Sequence, residues 1–190
     1  CPDCNEWNTL VEHIASAHTR GATPAIATQP VRLCDTPEQS DAEMRVTTGC
    51  SELDKVLGGG LVLGSLMLLG GDPGVGKSTL LLSTLDKLSQ RGLEVLYVSG
   101  EESVAQIRLR ARRLGLVGAN VRLLAQTDFS QVIAIAKKQR PQVLVVDSVQ
   151  TLGLPYLASI PGSVSQVREV AHQSMQLAKQ HGIATWLVGH

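Results

Sequence analysis

Hydrophobic and polar positions along this chain follow two periods, and the changes between them mark out its elements. Apolar residues spaced three and four apart predict helices over 51–57, 78–90, 103–114, 129–139 and 164–180. Short, nearly continuous apolar runs predict strands over 65–69, 94–98, 121–124, 143–146 and 183–188. Ser51 caps the first helix and Gly58-Gly59-Gly60 ends it. The run at 65–69 reads as a fully buried central strand, and the following helix as one with Leu80, Leu81, Leu85 and Leu88 turned inward. Pro141 closes the helix at 129–139, while Gly153, Pro155, Pro161 and Gly162 make 152–163 a loop. Strands alternating with helices describe βαβ units, so the fold class expected is α/β with a mainly parallel sheet and flanking helices.

The first 43 residues have a different texture. Pro24, Pro30 and Pro37 break a Thr-, Ala- and Gln-rich stretch, giving a linker over 12–43 after a small cysteine-bearing segment at 1–11. The domain proper spans 44–190. Cys1 and Cys4 form a C-x-x-C pair able to offer two thiolates to a zinc ion whose structural sites need four ligands. Half of a zinc ribbon, a redox pair and simple thiols all remain open for it, while Cys34 and Cys50 show no ligand spacing. The opening at Cys1 and the end at His190, at a strand terminus, read as a fragment or processed product.

Composition narrows the functional classes. The 190 residues carry 17 Lys+Arg and 17 Asp+Glu, a formal net charge of 0, so no global field draws the chain to nucleic acid. Aromatic residues are only 3%, too few for an evident single-strand stacking platform. The stretch at 61–70 falls well short of the roughly 20 apolar residues of a membrane span, and none is expected.

The chemistry concentrates where a strand meets a helix. Gly71-Asp72-Pro73-Gly74-Val75-Gly76-Lys77-Ser78 satisfies G-x-x-x-x-G-K-[ST] in full. Such a turn lets backbone amides converge on phosphate oxygens at a positive helix end. Lys77 would reach the β- and γ-phosphates and the Ser78 hydroxyl would help hold Mg²⁺. Asp147, at the carboxyl end of the run 143–146, is the candidate metal carboxylate. Glu101 and Glu102 follow another strand; either could orient water, and Glu102 also suits the first turn of a helix near Ser103. Arg108, Arg110, Arg112 and Arg113 cover several faces of one helix, so only some can meet one ligand.

These motifs together resemble the bacterial RadA/Sms repair proteins, relatives of the RecA recombinase. The resemblance runs through CPDCNEWNTLVE, TGCSELDKVLGGGLVLGSLMLLGGDPGVGKSTLL, LYVSGEES, VLVVDSVQTL, PGSVSQVREV and the final LVGH. It implies a RecA-like P-loop ATPase core using ATP and Mg²⁺, in the bacterial cytoplasm, preceded by the later half of a four-cysteine zinc ribbon with Cys1 and Cys4 as ligands. It further implies Glu101 rather than Glu102 as base, Thr79 near the phosphates, His190 as nucleotide sensor and Arg108 as a secondary candidate on the adenine side. The loop at about 153–163 corresponds to the first DNA-binding loop of such relatives. DNA-stimulated ATP hydrolysis, single-stranded and branched DNA as partners, a hexameric ring when complete and a recombinase partner are what the likeness implies. Zn²⁺ would be held only in a complete protein, since two zinc cysteines are absent. A KNRFG-type motif and a Lon-protease-like domain would lie beyond His190. The alternatives are a signalling ATPase of the same superfamily with a protein partner, and a nucleotide-gated adaptor that does not hydrolyse.

Overall fold

The computed structural model describes Arg32 and residues 45–190. The segment 1–11 with Cys1 and Cys4, and the linker 12–43 apart from Arg32, lie outside the described residues. A hairpin-like pair of short antiparallel strands, β1 (Arg45–Val46) and β2 (Leu61–Val62), brackets helix α1 (Ser51–Val56). Then come β3 (Leu66–Gly70), α2 (Lys77–Gln90), β4 (Val95–Ser99), α3 (Val104–Arg113) and β5 (Val121–Ala125). α4 (Phe129–Gln139), β6 (Val143–Asp147), a 3-10 turn (Val149–Thr151), α5 (Val164–His181) and β7 (Ala184–Gly189) complete the order.

The main sheet has five strands in the order β3-β7-β6-β4-β5, parallel throughout. Alternate side chains of each strand serve opposite faces. Val95, Tyr97, Val143, Val145 and Trp186 pack with Leu81, Leu85 and Leu88 of α2 and with Ile107 of α3. Leu96, Val98, Leu144, Val146 and Leu187 pack on the other face with Phe129, Val132, Val170 and Leu177 of α4 and α5. The helices therefore flank the sheet as the alternation of periods predicts.

Three expectations are corrected. Ser51 is the first residue of α1 rather than its cap: Cys50 stands at the N-cap, and no side chain caps that end. β3 is an edge strand, not a central one: among the described residues it pairs only with β7, and Leu68 is 72% exposed. An apolar run shows that a strand can be buried, whereas its neighbours depend on how later crossovers return. Leu80 is exposed, because it stands on the outer face of the first turn of α2, and Leu82 is buried with Leu81 and Leu85 in its stead. Among the described residues no helix is long and apolar enough to cross a membrane.

Candidate functional site

β3 ends at Gly70 and an exposed turn over 71–76 leads into α2. Gly76 caps that helix with φ +101°, a left-handed conformation that costs glycine little and other residues much. No side chain caps this end, and the helix's first i→i−4 bond runs from the Leu80 N–H to the Gly76 carbonyl at 2.9 Å. The amides of Lys77, Ser78 and Thr79 thus open the helix without an intrahelical acceptor, and the helix dipole favours an anion beside them. The Lys77 ammonium donates to the Gly71 carbonyl at 2.5 Å and the Asp72 carbonyl at 2.8 Å, so it is folded back over the turn. Asp72, Pro73, Gly74 and Val75 form the exposed rim; Ser78 is half-buried and Thr79 exposed in the first helical turn.

The carboxylates come from the same edge of the sheet. Asp147 ends β6, in register with Ser99 at the end of β4. By alternation its side chain falls on the face of Val143 and Val145, the face covered by α2. Its Oδ2 accepts a hydrogen bond from the buried Tyr97 hydroxyl at 2.5 Å. Burial first, then the neighbouring Asp147 charge and this hydrogen bond, push the Tyr97 phenol far above its usual range. Tyr97 therefore remains the donor at any ordinary pH.

The next residue along, Ser148, donates from Oγ to Glu101 Oε1 at 2.8 Å. Ser99 Oγ accepts the amides of Glu101 at 3.3 Å and Glu102 at 2.9 Å, and the Gly100 amide donates to the Asp147 carbonyl at 3.0 Å. These bonds tie the ends of β4 and β6 together and bring Glu101 to the residue after Asp147. Glu102 goes elsewhere. It precedes Ser103, whose capping box with Gln106 starts α3, and it pairs with Arg110. The first-turn reading of Glu102 is thus corrected: the helix begins after a serine cap, leaving that glutamate outside it.

His190 follows β7, whose Gly189 pairs in register with Gly70, so it lies at the edge where the phosphate turn begins. Its carbonyl accepts from Gln150 Nε2 at 2.6 Å, and its side chain is exposed. Arg108 lines a cavity of about 480 Å³ between α2 and α3, with Leu82, Asp86, Val104, Ile107 and Arg112 among its neighbours. Inside it Asp86 accepts the amides of Val117 at 2.9 Å and Gly118 at 2.6 Å.

Among the described residues no group of three or more His, Cys, Asp or Glu side chains could hold a metal ion. The oxygen donors offered by the motif residues are one hydroxyl, Ser78, at the start of α2 and one carboxylate, Asp147, at the end of β6. That set fits Mg²⁺, which keeps its waters and takes phosphate oxygens rather than an all-protein cage. The loop over 152–163 is held from below by the buried Gln166. Its Oε1 accepts from the Leu154 amide at 2.8 Å, and its Nε2 donates to the carbonyls of Ser159 at 2.7 Å and Leu154 at 3.3 Å. Tyr156 and Ile160 project from that loop, 63% and 77% exposed.

Comparison with known proteins places the sequence in a family. The AAA domain family profile covers residues 36–190. The chain belongs to the AAA domain family. It is also similar over its whole length to proteins named DNA repair protein RadA, in keeping with the resemblance carried by its motifs. The relative from Pseudomonas aeruginosa is 49% identical over 192 residues, with 100% of this chain and 42% of the relative covered. Those from Streptococcus pyogenes serotype M6 and Chlamydia muridarum are 45% and 44% identical, again with 100% of this chain and 42% of each relative covered. The chain thus spans about two-fifths of the length of these curated relatives.

Tyr97, Ser99, Ser148 and Gln166 of this AAA domain escaped the motif reading. A signal existed for Tyr97. It is the polar-tipped aromatic among the aliphatic residues Val95, Leu96 and Val98, two residues from the strand end at Ser99, and a buried phenol needs a partner.

Proposed function

We propose that this chain is the ATP-binding and ATP-hydrolysing core of a DNA repair protein, a motor whose turnover is stimulated by single-stranded DNA. One observation carries the reading. The phosphate turn, Asp147 and Glu101 gather at one edge of one sheet, with Glu101 held by the hydroxyl of the residue that follows Asp147. The relatives' name, DNA repair protein RadA, supports the biological setting.

The amides at the start of α2 and the Lys77 ammonium would bind the β- and γ-phosphates. Ser78 and Asp147 would hold Mg²⁺, which when bound offsets phosphate charge. Glu101, with Oε1 occupied by Ser148, would orient water through its other oxygen. As Glu101 accepts a proton from that water, its oxygen would bond to the γ-phosphorus while the bond to the β–γ bridging oxygen breaks, the leaving pair staying on ADP. Lys77 stabilises charge as it develops across these oxygens. His190 would sense the γ-phosphate from the adjoining strand end, Thr79 would lie near the phosphates, and Arg108 would flank the base. The loop at 153–163 carries no Lys or Arg, so DNA would meet its backbone amides and the exposed Tyr156 ring. Assembly as a hexameric ring, processing of branched intermediates, a recombinase partner and a Cys1–Cys4 half-site for Zn²⁺ belong to the same reading of the longer protein.

The test is ATP hydrolysis by the full-length protein with and without single-stranded DNA, wild type beside Lys77→Ala. The expected outcome is DNA stimulation in the wild type and a loss of about 100-fold or more in the variant. Retained turnover in Lys77→Ala would overturn the phosphate assignment, and a wild type indifferent to DNA in every nucleotide state would overturn the motor.

A further inference from the structure

A side chain in the hydrophobic interior reaches the candidate metal carboxylate. β4 is buried along its whole length, and Tyr97 is 0% exposed at its centre. Its ring packs in the cluster formed by α2, α3 and the sheet, so neighbours on several sides fix its position. Its hydroxyl emerges at the carboxyl edge and donates to Asp147 Oδ2 at 2.5 Å. Among the described residues Tyr97 is the one hydrogen-bond partner of that carboxylate. Asp147 is itself only half-buried at the end of its strand.

We propose that Tyr97 is a positioning residue: its hydroxyl locks the Asp147 carboxylate through Oδ2, which leaves Oδ1, without a hydrogen bond among the described residues, available to Mg²⁺ or its waters. The proposal rests on Asp147 being the metal carboxylate. A rigid donor behind a ligand fixes the ligand's orientation, and loss of such outer partners commonly weakens metal binding about 10- to 100-fold. The hydroxyl also withdraws charge from the carboxylate, which opposes metal binding. Orientation prevails because the ring is anchored in the core while Asp147 stands at a partly solvated strand end. Ser148 does the equivalent for Glu101, so the two carboxylates have separate hydroxyl partners.

The experiment uses the full-length protein and a fluorescent ATP analogue, titrated with Mg²⁺ and also bound in EDTA. Wild type, Tyr97→Phe, Asp147→Asn and the double variant are compared, each with its melting temperature. Tyr97→Phe is expected to raise the Mg²⁺ concentration for half-maximal nucleotide binding about tenfold. Its binding in EDTA should match wild type, and its melting temperature should stay within a few degrees. In the Asp147→Asn background the same change should add nothing, which a merely structural role would not produce. A Tyr97→Phe titration identical to wild type, or an equal loss with and without Asp147, overturns the proposal. If Asp147→Asn itself leaves the Mg²⁺ dependence untouched, the metal assignment falls and the positioning role with it.

Discussion

Gly100 shows how little room the candidate site leaves. A Cβ built there would overlap Thr151 Oγ1 and lie 2.7 Å from Thr151 Cβ. Thr151 in turn donates to the Ser148 carbonyl at 2.8 Å, and Ser148 carries Glu101. Gly100→Ala should therefore push the 3-10 turn away from β4 and cost about 1–3 kcal/mol of stability, read from a urea midpoint. ATP turnover should fall as Ser148 is displaced from Glu101. At this scale the motif residues were legible, because G-x-x-x-x-G-K-[ST] is contiguous and each member has a local reason to be there. Tyr97 and Ser148 were not. They touch their partners across strands, 50 and 47 residues away, and no local spacing encodes that meeting.

Among elements, the loop over 152–163 is the clearest case of order without periodicity. Gln166, in the first turn of α5, reaches back to Leu154 and Ser159 with both ends of its amide. Removing it leaves the buried Leu154 amide without its acceptor and the Ser159 carbonyl without this donor. Gln166→Ala is expected to lose about 1–3 kcal/mol. Amide exchange across 152–163 should accelerate more than in the strands, and uniform acceleration would show that the loop is held some other way. The main helices and strands themselves were readable from their periods to within a residue or two. β1 and β2 were not, being two residues each and too short to show a period. The edge position of β3 was equally hidden, since strand order is decided by crossovers rather than by the strand's own residues.

Across the described domain, the two hydrophobic layers on either side of one sheet set the stability. Leu85, 0% exposed between α2 and the sheet, is a point where one truncation is felt by several strands. Leu85→Ala should cost about 2–5 kcal/mol, checked by denaturant unfolding followed by circular dichroism. The same layer passes directly into the site, because α2 begins at the phosphate turn and Tyr97 joins interior to rim. That continuity bears on any attempt to toughen this protein by redesign. Thermostabilising exchanges in an oily interior are usually screened by melting alone, and at position 97 such a screen would welcome phenylalanine. It would score the loss of a single oxygen as neutral and miss the weakened magnesium response proposed above, so variants at this position call for selection on magnesium as well as on heat.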